Sequence, residues 1–532
     1  MNAEERYTQE YLDAIARLKG DEEGRRAAWR RMAAGTSLWQ GEPTAFSYVP
    51  RFFGEATQER FAQVTRTAYG IFAKVIARYR ADEAYRREFR LDPRVEELVL
   101  LPQGYAEPLP MARIDLMLDE RTGALHFCEF NTDSSSGMNE TREALAALES
   151  TRPYQEFAAR HVVETDVERQ FSGWVRTFAR IWEQSAGAQR WRERVAEEGA
   201  IGSAGVANAD TSASVATDVC TRASQAGEGA RPQVAIVACL DSPNPDIGEL
   251  ETYRTLFEQA GFACSVFDAR QLAFDGERLV GRHALAGSSN VKIDCIWRFC
   301  IVVDLLDHWD EVQPFIEALR QQKVEMIGSF ATQLIHDKQL FAVLRRPATQ
   351  VFLNDEERAF VRDHIPQTYF LDDPALDLEA VRRNPARWVI KPTDWYESKN
   401  VVAGAETAPE EWSRLIDERL GTGTGANTGA STPGASCASI AAAAETPDPF
   451  SGVDTGDSPY LVQEFFAPHR TPTIPLYGRE ADFTAEPQPF GNLIGLFMHA
   501  GQFAGAYLRQ GPYNVTGSAK EGIVAPVLWV AD

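Results

Sequence analysis

Basic blocks, long apolar runs and paired cysteines are all scarce in this chain of 532 residues. Against 77 acidic residues stand only 54 basic ones, a net charge of −23, and no Lys/Arg-rich block gathers the basic ones into a patch. So negative a surface repels phosphate backbones and anionic lipid, which argues against nucleic acid and membranes as partners. No apolar run approaches the length of a membrane helix, about eighteen residues or more; the longest, such as Val234–Leu240, have strand length. The seven cysteines are scattered, odd in number and in several cases set inside apolar runs, which fits the reduced thiols of a cytoplasmic protein. Cys295 and Cys300 lack a second pair at zinc-finger spacing and read as core residues. The start, Met1-Asn2-Ala3-Glu4-Glu5-Arg6, is acidic, unlike the basic and then apolar start of a signal peptide. Also missing are a GxxxxGK[ST] loop and a strand–GxGxxG–helix unit, the two common glycine-rich phosphate cradles.

What is present is the composition of a globular protein, 44% hydrophobic and 25% charged, at a length that suggests roughly three structural units. Tyr7, Tyr11, Ile15 and Leu18 repeat at helical spacing, as do Phe61, Val64, Ala68, Phe72, Val75 and Tyr79, and residues 1–110 read as a helical region. Residues 111–198 hold a hairpin followed by helix from about Glu140 to Glu198. Two stretches, 199–232 and 421–459, are dominated by Ala, Gly, Ser and Thr; neither can bury enough apolar surface to offset its ordering entropy, and both read as flexible insertions. Residues 233–330 alternate strands (Val234–Leu240, Phe262–Asp268, Ile293–Ile301, Val324–Ile327) with helices (Leu250–Ala260, Trp309–Gln322), which predicts a mostly parallel sheet. A helix over Ala331–Leu344 opens the last region, 331–532, whose strands are predicted at Trp388–Lys391, Tyr460–Phe466, Gly491–His499 and Phe503–Arg509. The fold class is α/β with α+β character.

The most informative segment is Met111–Glu140, MARIDLMLDERTGALHFCEFNTDSSSGMNE. Alternation in Ala112–Leu118 puts Arg113, Asp115 and Met117 on one face and Ile114, Leu116 and Leu118 on the other. In the next strand Leu125, Phe127, Glu129 and Asn131 share a face. Arg121-Thr122-Gly123 fits a three-residue hairpin loop with Gly123 in the left-handed position. If Glu120 pairs with Ala124, Asp115 falls opposite Glu129 and Arg113 opposite Asn131. Like charges so placed, with Cβ atoms about 5 Å apart, repel and call for a counter-charge. Two carboxylates and an amide oxygen suit Mg²⁺ or Mn²⁺ completed by phosphate and water. A solvated hairpin face on which Arg113 neutralises both acids is the other reading of these residues.

Ser135 and Ser136, in the polar turn before a helix near Met138, offer hydroxyls and backbone N–H groups to an anion, or else a simple cap. Lys391 ends an apolar strand, where an ammonium is costly to bury unless it meets an anion such as phosphate. Lys338 lies in the first turns of a helical stretch and by itself reads as a surface lysine. Tyr460–Phe465 is an apolar strand whose polar end could pair with an adenine edge while Glu464 accepts a ribose hydroxyl; an ordinary strand terminus is the plainer reading. If ATP binds here, it does so without a P-loop.

Taken together, these segments resemble the synthetase domain of the glutathionylspermidine synthase family, circularly permuted ATP-grasp proteins. Arg113-Ile114-Asp115 with Glu129-Phe130-Asn131 looks like the family's R-x-D and E-[YF]-N signature. Met326-Ile327-Gly328 and Asp337-Lys338-Gln339-Leu340 look like the strand and lysine before its nucleotide-binding domain. Lys391-Pro392 with Glu397, Asn400 and Val401 looks like its K-P…E-x-x-N-V loop, and Val462-Gln463-Glu464 like its hinge.

The resemblance implies that Asp115, Glu129 and Asn131 bind one or two Mg²⁺, with Mn²⁺ as a substitute, and that Lys338 and Lys391 hold ATP phosphates. It also implies that Gln463 and Glu464 form the nucleotide hinge, that Arg113 stabilises the transferring γ-phosphoryl group, and that Arg509 is a further phosphate or carboxylate contact. The activity implied is ATP-dependent ligation of a carboxylate to an amine through an acyl phosphate, with peptide or polyamine-like substrates. Residues 1–110 contain no Cys or His, so the amidase half of bifunctional members has no counterpart. The loop after Lys391 departs from the family's glycine-rich form, with no glycine before Gly404. That departure supports the alternative, a nucleotide-binding scaffold or regulator of the same fold without turnover.

Overall fold

The helical stripes read from the sequence become the buried faces of long helices in the computed structural model. It describes residues 2–531 apart from 133–134, 204–229, 242–245, 283–289, 396–399, 422–458, 479–480 and 518–519. Tyr11 and Ile15 are buried on the Ala3–Arg17 helix. Phe61, Val64, Ala68, Phe72, Val75 and Tyr79 are buried on the Glu55–Ala81 helix. Short extended pieces interrupt this N-terminal region. Phe46–Ser47 joins the largest sheet between Pro475–Leu476 and Ile523–Val524, and Arg51–Gly54 runs parallel to Val527–Val530. The two low-complexity stretches lie, apart from their edges, outside the described residues; the Ala186–Ser203 helix runs into the first of them.

Gln233–Ala238, Ala263–Asp268, Cys295–Arg298 and Glu325–Ile327 form a four-stranded sheet, parallel throughout, as the alternation of elements predicts. Ala235, Val237 and Ile296 face one hydrophobic core, and Val234, Ile236 and Trp297 face the other. The Gln313–Arg320 helix packs into the first core and Ile247–Gln259 into the second. With both faces covered, these strands are apolar almost without interruption.

The largest sheet has eight strands and is antiparallel through its middle. Its long hairpin, Gln488–His499 with Gln502–Gly511, pairs with Met111–Leu118, which in turn pairs with Leu125–Asn131. Asp115 lies opposite Glu129, and Arg113 opposite Asn131. The register is the expected one, but the chain reaches it by another route. Asp119, not Glu120, pairs with Ala124: its N–H donates to the Ala124 carbonyl at 2.8 Å, and Gly123 closes the turn at φ +75°. That longer loop alone would set Asp115 opposite Cys128. A β-bulge between Asp115 and Leu116 leaves Cys128 unopposed and restores the pairing. The expectation that Leu125 and Phe127 share a face with Glu129 and Asn131 is corrected by the same bulge. Leu125, Phe127 and Phe130 are core residues with Ile114, Leu116 and Leu118, while Glu129 and Asn131 turn to the polar face.

A smaller antiparallel sheet orders Thr368–Phe370, Tyr460–Glu464, Trp388–Pro392 and Val402–Ala403. The helix expected over 331–344 is broken into a Phe330–Thr332 turn and the short helices Gln333–His336 and Leu340–Arg345. At Asp337 the backbone swings to φ −66°, ψ 126°. Its carboxylate accepts from the Gln339 N–H at 3.0 Å and from Gln339 Nε2 at 2.6 Å, a local alternative to helical hydrogen bonding. Lys338 therefore stands at a break and is buried, not in a first helical turn at the surface.

Candidate active site

The polar face of the ribbon is organised around Asp115, which is 1% exposed. Arg113 grips it bidentately, Nε to Oδ1 at 2.8 Å and Nη2 to Oδ2 at 3.0 Å, and Asn131 Nδ2 donates to Oδ2 at 3.1 Å. Burial pushes the Asp115 carboxyl up to about 6, against the pull of Arg113. Arg113 Nη1 donates to the Ser136 carbonyl at 2.6 Å, and its guanidinium lies 4.9 Å from the Tyr507 ring. The neighbouring strand passes under this pair at Gly495, where a Cβ would stand 2.8 Å from Arg113 Cδ and from Asp115 Oδ1. Only a residue without a side chain allows that approach.

Glu129, on the same face, is more open, with 27% of its side chain exposed, and its Oε2 lies 3.9 Å from Lys338 Nζ. Lys338 Nζ also donates to the Trp395 carbonyl, and its own N–H donates to the Thr393 carbonyl at 2.7 Å. Lys391 Nζ donates to the carbonyl of the bulged Cys128 at 3.0 Å. Burial drives Lys391 down to about 8; Lys338 adds to the shift, while Cys128 and Glu129 oppose it. Burial works to raise Glu129, but Lys338, Arg113, Lys391 and His336 outweigh it and hold the carboxylate below its usual range. Two buried ammonium groups thus meet one half-open carboxylate, with Asp337, pushed up to about 7 by burial and by Asp394, beside Lys338.

From these lysines runs a cleft open to solvent. Val389, Gln463 and Glu464 form one wall, and Leu493 with Asn514–Thr516 another. His126 stacks on Phe466 at its side, ring centroids 3.6 Å apart and planes 11° off parallel. Gln463 Nε2 donates to Thr368 Oγ1 at 2.9 Å, and Glu464 accepts from Arg387 Nη2 at 3.1 Å. The arrangement is an apolar slot with a cationic end, able to take a flat ring that carries an anionic tail.

The predicted residues thus fall into groups. Glu129, Lys338, Lys391, Gln463 and Glu464 line the cleft, and Arg113, Asp115 and Asn131 stand beside Glu129 on the ribbon. Arg509 lies outside the cleft wall, 5.3 Å from the far side of the Tyr507 ring and 3.5 Å from Glu140 Oε2. The anion-binding turn before Met138 is corrected. Ser135 Oγ donates to the Asn131 carbonyl at 2.7 Å, and Ser136 is engaged through its carbonyl by Arg113. The N–H groups of Gly137 and Asn139 are taken by the buried Glu249 carboxyl at 3.2 and 2.9 Å, so the helix end already has its acid. Burial and the nearby Asp246 push Glu249 up to about 8. Glu397 lies outside the described residues, while Val401 lines the cleft. Gly495, His126 and Phe466 went unread in the sequence, because nothing local marks them; each matters only through a strand or ring brought from elsewhere.

For a metal, the donor set is two carboxylates and an amide; among the described residues no three His, Cys, Asp or Glu side chains gather as they would around an ion. Glu129 offers free oxygens beside the lysines, and Asp115 keeps lone-pair capacity beyond the three N–H groups it accepts. Such a set fits a hard cation that takes most of its ligands from phosphate and water. No helix among the described residues is long and apolar enough to cross a membrane.

No protein-family model matches the sequence, and no curated protein does. Solved structures do. A glutathione synthetase-like effector from Globodera pallida, in its apo form, matches with a TM-score of 0.53 at 10% identity, over 95% of this chain and 96% of that one. A putative gamma-glutamylcysteine synthetase from Methylobacillus flagellatus matches with a TM-score of 0.36 at 11% identity, over 90% and 89%. The chain is a mixed α/β protein with the fold of the first of these.

Proposed function

We propose that the chain is an ATP-dependent carboxylate–amine ligase on a circularly permuted ATP-grasp fold, similar in chemistry to glutathionylspermidine synthase. One observation carries this reading: Glu129, Lys338 and Lys391, from three separate segments, meet at one end of an apolar cleft walled by Gln463 and Glu464. A purine would lie against Val389 and the Gln463–Glu464 strand end, with its phosphates toward the lysines. Both ammonium groups now donate to backbone carbonyls and would exchange these for phosphate oxygens. Glu129, with Asp115 and Asn131 beside it, would hold Mg²⁺, which when bound supplies charge neutralisation for the phosphates. Arg113, fixed by Asp115 and the Ser136 carbonyl, would face the charge that develops on the transferring group. The acid's carboxylate oxygen forms a bond to the γ-phosphorus as ADP leaves; the neutral amine nitrogen then bonds to the acyl carbon as phosphate leaves, and the proton lost from nitrogen goes to the departing phosphate. The net charge of −23 favours a cationic, polyamine-like amine.

A second reading, a nucleotide-binding scaffold without turnover, draws on the hold that the Trp395 carbonyl has on Lys338 from within a glycine-poor loop. Release of ADP and phosphate from Mg-ATP, measured with acids and amines separately and together, separates the two. The ligase releases both only when acid and amine are present together. Nucleotide bound but never turned over would favour the scaffold, and no nucleotide binding would end both readings.

A further inference from the structure

The Val167–Glu183 helix carries a second cationic feature, well away from the cleft. Arg169, Arg176 and Arg180 fall within about 40° of one another around its axis at 3.6 residues per turn. They line an open cavity of about 550 Å³, together with the turn of the long hairpin from His499 to Ala504. Gly173 lies on the same side of the helix. A Cβ there would be 3.4 Å from His499 Nδ1 and 3.9 Å from Arg176 Nη2, so its missing side chain keeps the floor open. His499 is 5% exposed, and its Nε2 is buried without a hydrogen-bond partner. Burial, aided by Arg176, pushes its ring down to about 3; it is neutral at physiological pH and can donate one N–H.

Counter-charge is sparse here. Arg169 has Asp166 Oδ1 at 3.4 Å, but among the described residues Arg176 and Arg180 form no ion pair. Glu107, the one acid in the wall, accepts at Oε1 from the Tyr69 hydroxyl at 2.6 Å and the Leu109 N–H at 3.2 Å, and it sets one carboxylate against the three guanidiniums. On a chain with a net charge of −23, three arginines on one helix face, with one carboxylate in the cavity wall, reverse the local sign of the surface. Guanidinium pairs bidentately with phosphate and carboxylate alike.

We infer that this cavity binds a small oligoanion, a molecule carrying two or more phosphate or carboxylate groups spread over about 6 to 16 Å, the rise between Arg176 and Arg180 and between Arg169 and Arg180. It is a separate site on the same face of the same strand. Leu493 lines the nucleotide cleft and His499 the cavity, six residues on, about 20 Å at strand rise.

Calorimetric titration of the full chain at low salt, with tripolyphosphate and with citrate, tests this. Saturable binding of at least one is expected, the tighter of the two identifying the group preferred. Arg176→Gln and Arg180→Gln, at exposed positions, should each weaken it about tenfold or more, and Gly173→Leu should abolish it with every charge retained. Lys292→Met, at an exposed position outside both cavities, should leave it unchanged. No saturable binding at millimolar probe would overturn the inference. So would affinity that both glutamine variants leave intact, or affinity lost in Lys292→Met. If Gly173→Leu fails to fold, the glutamine variants decide.

Discussion

Two strands of this molecule treat a buried arginine in opposite ways. Arg298, at the end of Cys295–Arg298 in the parallel sheet, spends its donors on the carbonyls of Gly328, Cys300 and Ser329 and on the Thr332 hydroxyl. Arg113, on Met111–Leu118 of the antiparallel ribbon, spends most of its donors on a single carboxylate, Asp115, and on one carbonyl. The first arrangement ties loops to a sheet whose two faces are both core. The second keeps an ion pair in place on a polar face, beside an open carboxylate and two lysines. A parallel strand covered on both sides has little room for chemistry, whereas an alternating strand can pack one face and equip the other.

If that division of labour holds, changes on the ribbon should lower the activity of the folded protein, and changes in the parallel sheet should cost stability alone. Arg113→Met should lower turnover about a thousandfold. It also leaves Asp115 buried without its partner, so a loss of about 3–5 kcal/mol should appear in denaturant unfolding. Gly495→Ala pushes a methyl against the Arg113–Asp115 pair and should cost about a hundredfold in kcat. The melting temperature reports whether the fold survives it.

A third test is the pH profile of nucleotide affinity. Asp115, raised from 3.8 to about 6, loses its charge as pH falls through about 6, and Lys391, lowered from 10.5 to about 8, loses its charge as pH rises through about 8. Affinity should peak between these limbs. Folding stability moves the other way: the Asp115 contribution is present below 3.8 and lost as pH rises through about 6, and that of Lys391 is present above 10.5 and lost as pH falls through about 8. A flat affinity profile from pH 5 to 9 would contradict the charge assignments. The smallest effect on turnover is expected from Ile296→Ala, which should cost about 2–5 kcal/mol of stability yet leave kcat per folded molecule unchanged.

The parallel sheet was legible because continuous apolar runs between helical stripes admit few other arrangements. The ribbon was legible in its register but not in its path. A loop one residue longer than expected and a bulge at Cys128 offset each other, so Asp115 meets Glu129 although the intervening pairs differ. A bulge leaves almost no mark on hydropathy, yet here it lets Phe127 and Phe130 both reach the core while Glu129 and Asn131 both face the site. Lys338 taken alone reads as a surface lysine because Ile335 to Leu344 has helical periodicity; the break that buries it comes from hydrogen bonds of the Asp337 side chain. Ser135 and Ser136 look like an anion-binding turn until Glu249, more than a hundred residues away, takes the N–H groups. Contacts of that kind are absent from any local pattern.

The central claim is that Glu129, Lys338 and Lys391 form the phosphate end of a nucleotide site. Calorimetric titration of Mg-ATP into the native chain and into Lys391→Met and Glu129→Gln tests it most directly. The native chain should bind saturably, Lys391→Met should weaken binding by about tenfold or more, and Glu129→Gln should remove the dependence of affinity on Mg²⁺. Equal affinity in all three, or none in the native chain, would contradict the assignment.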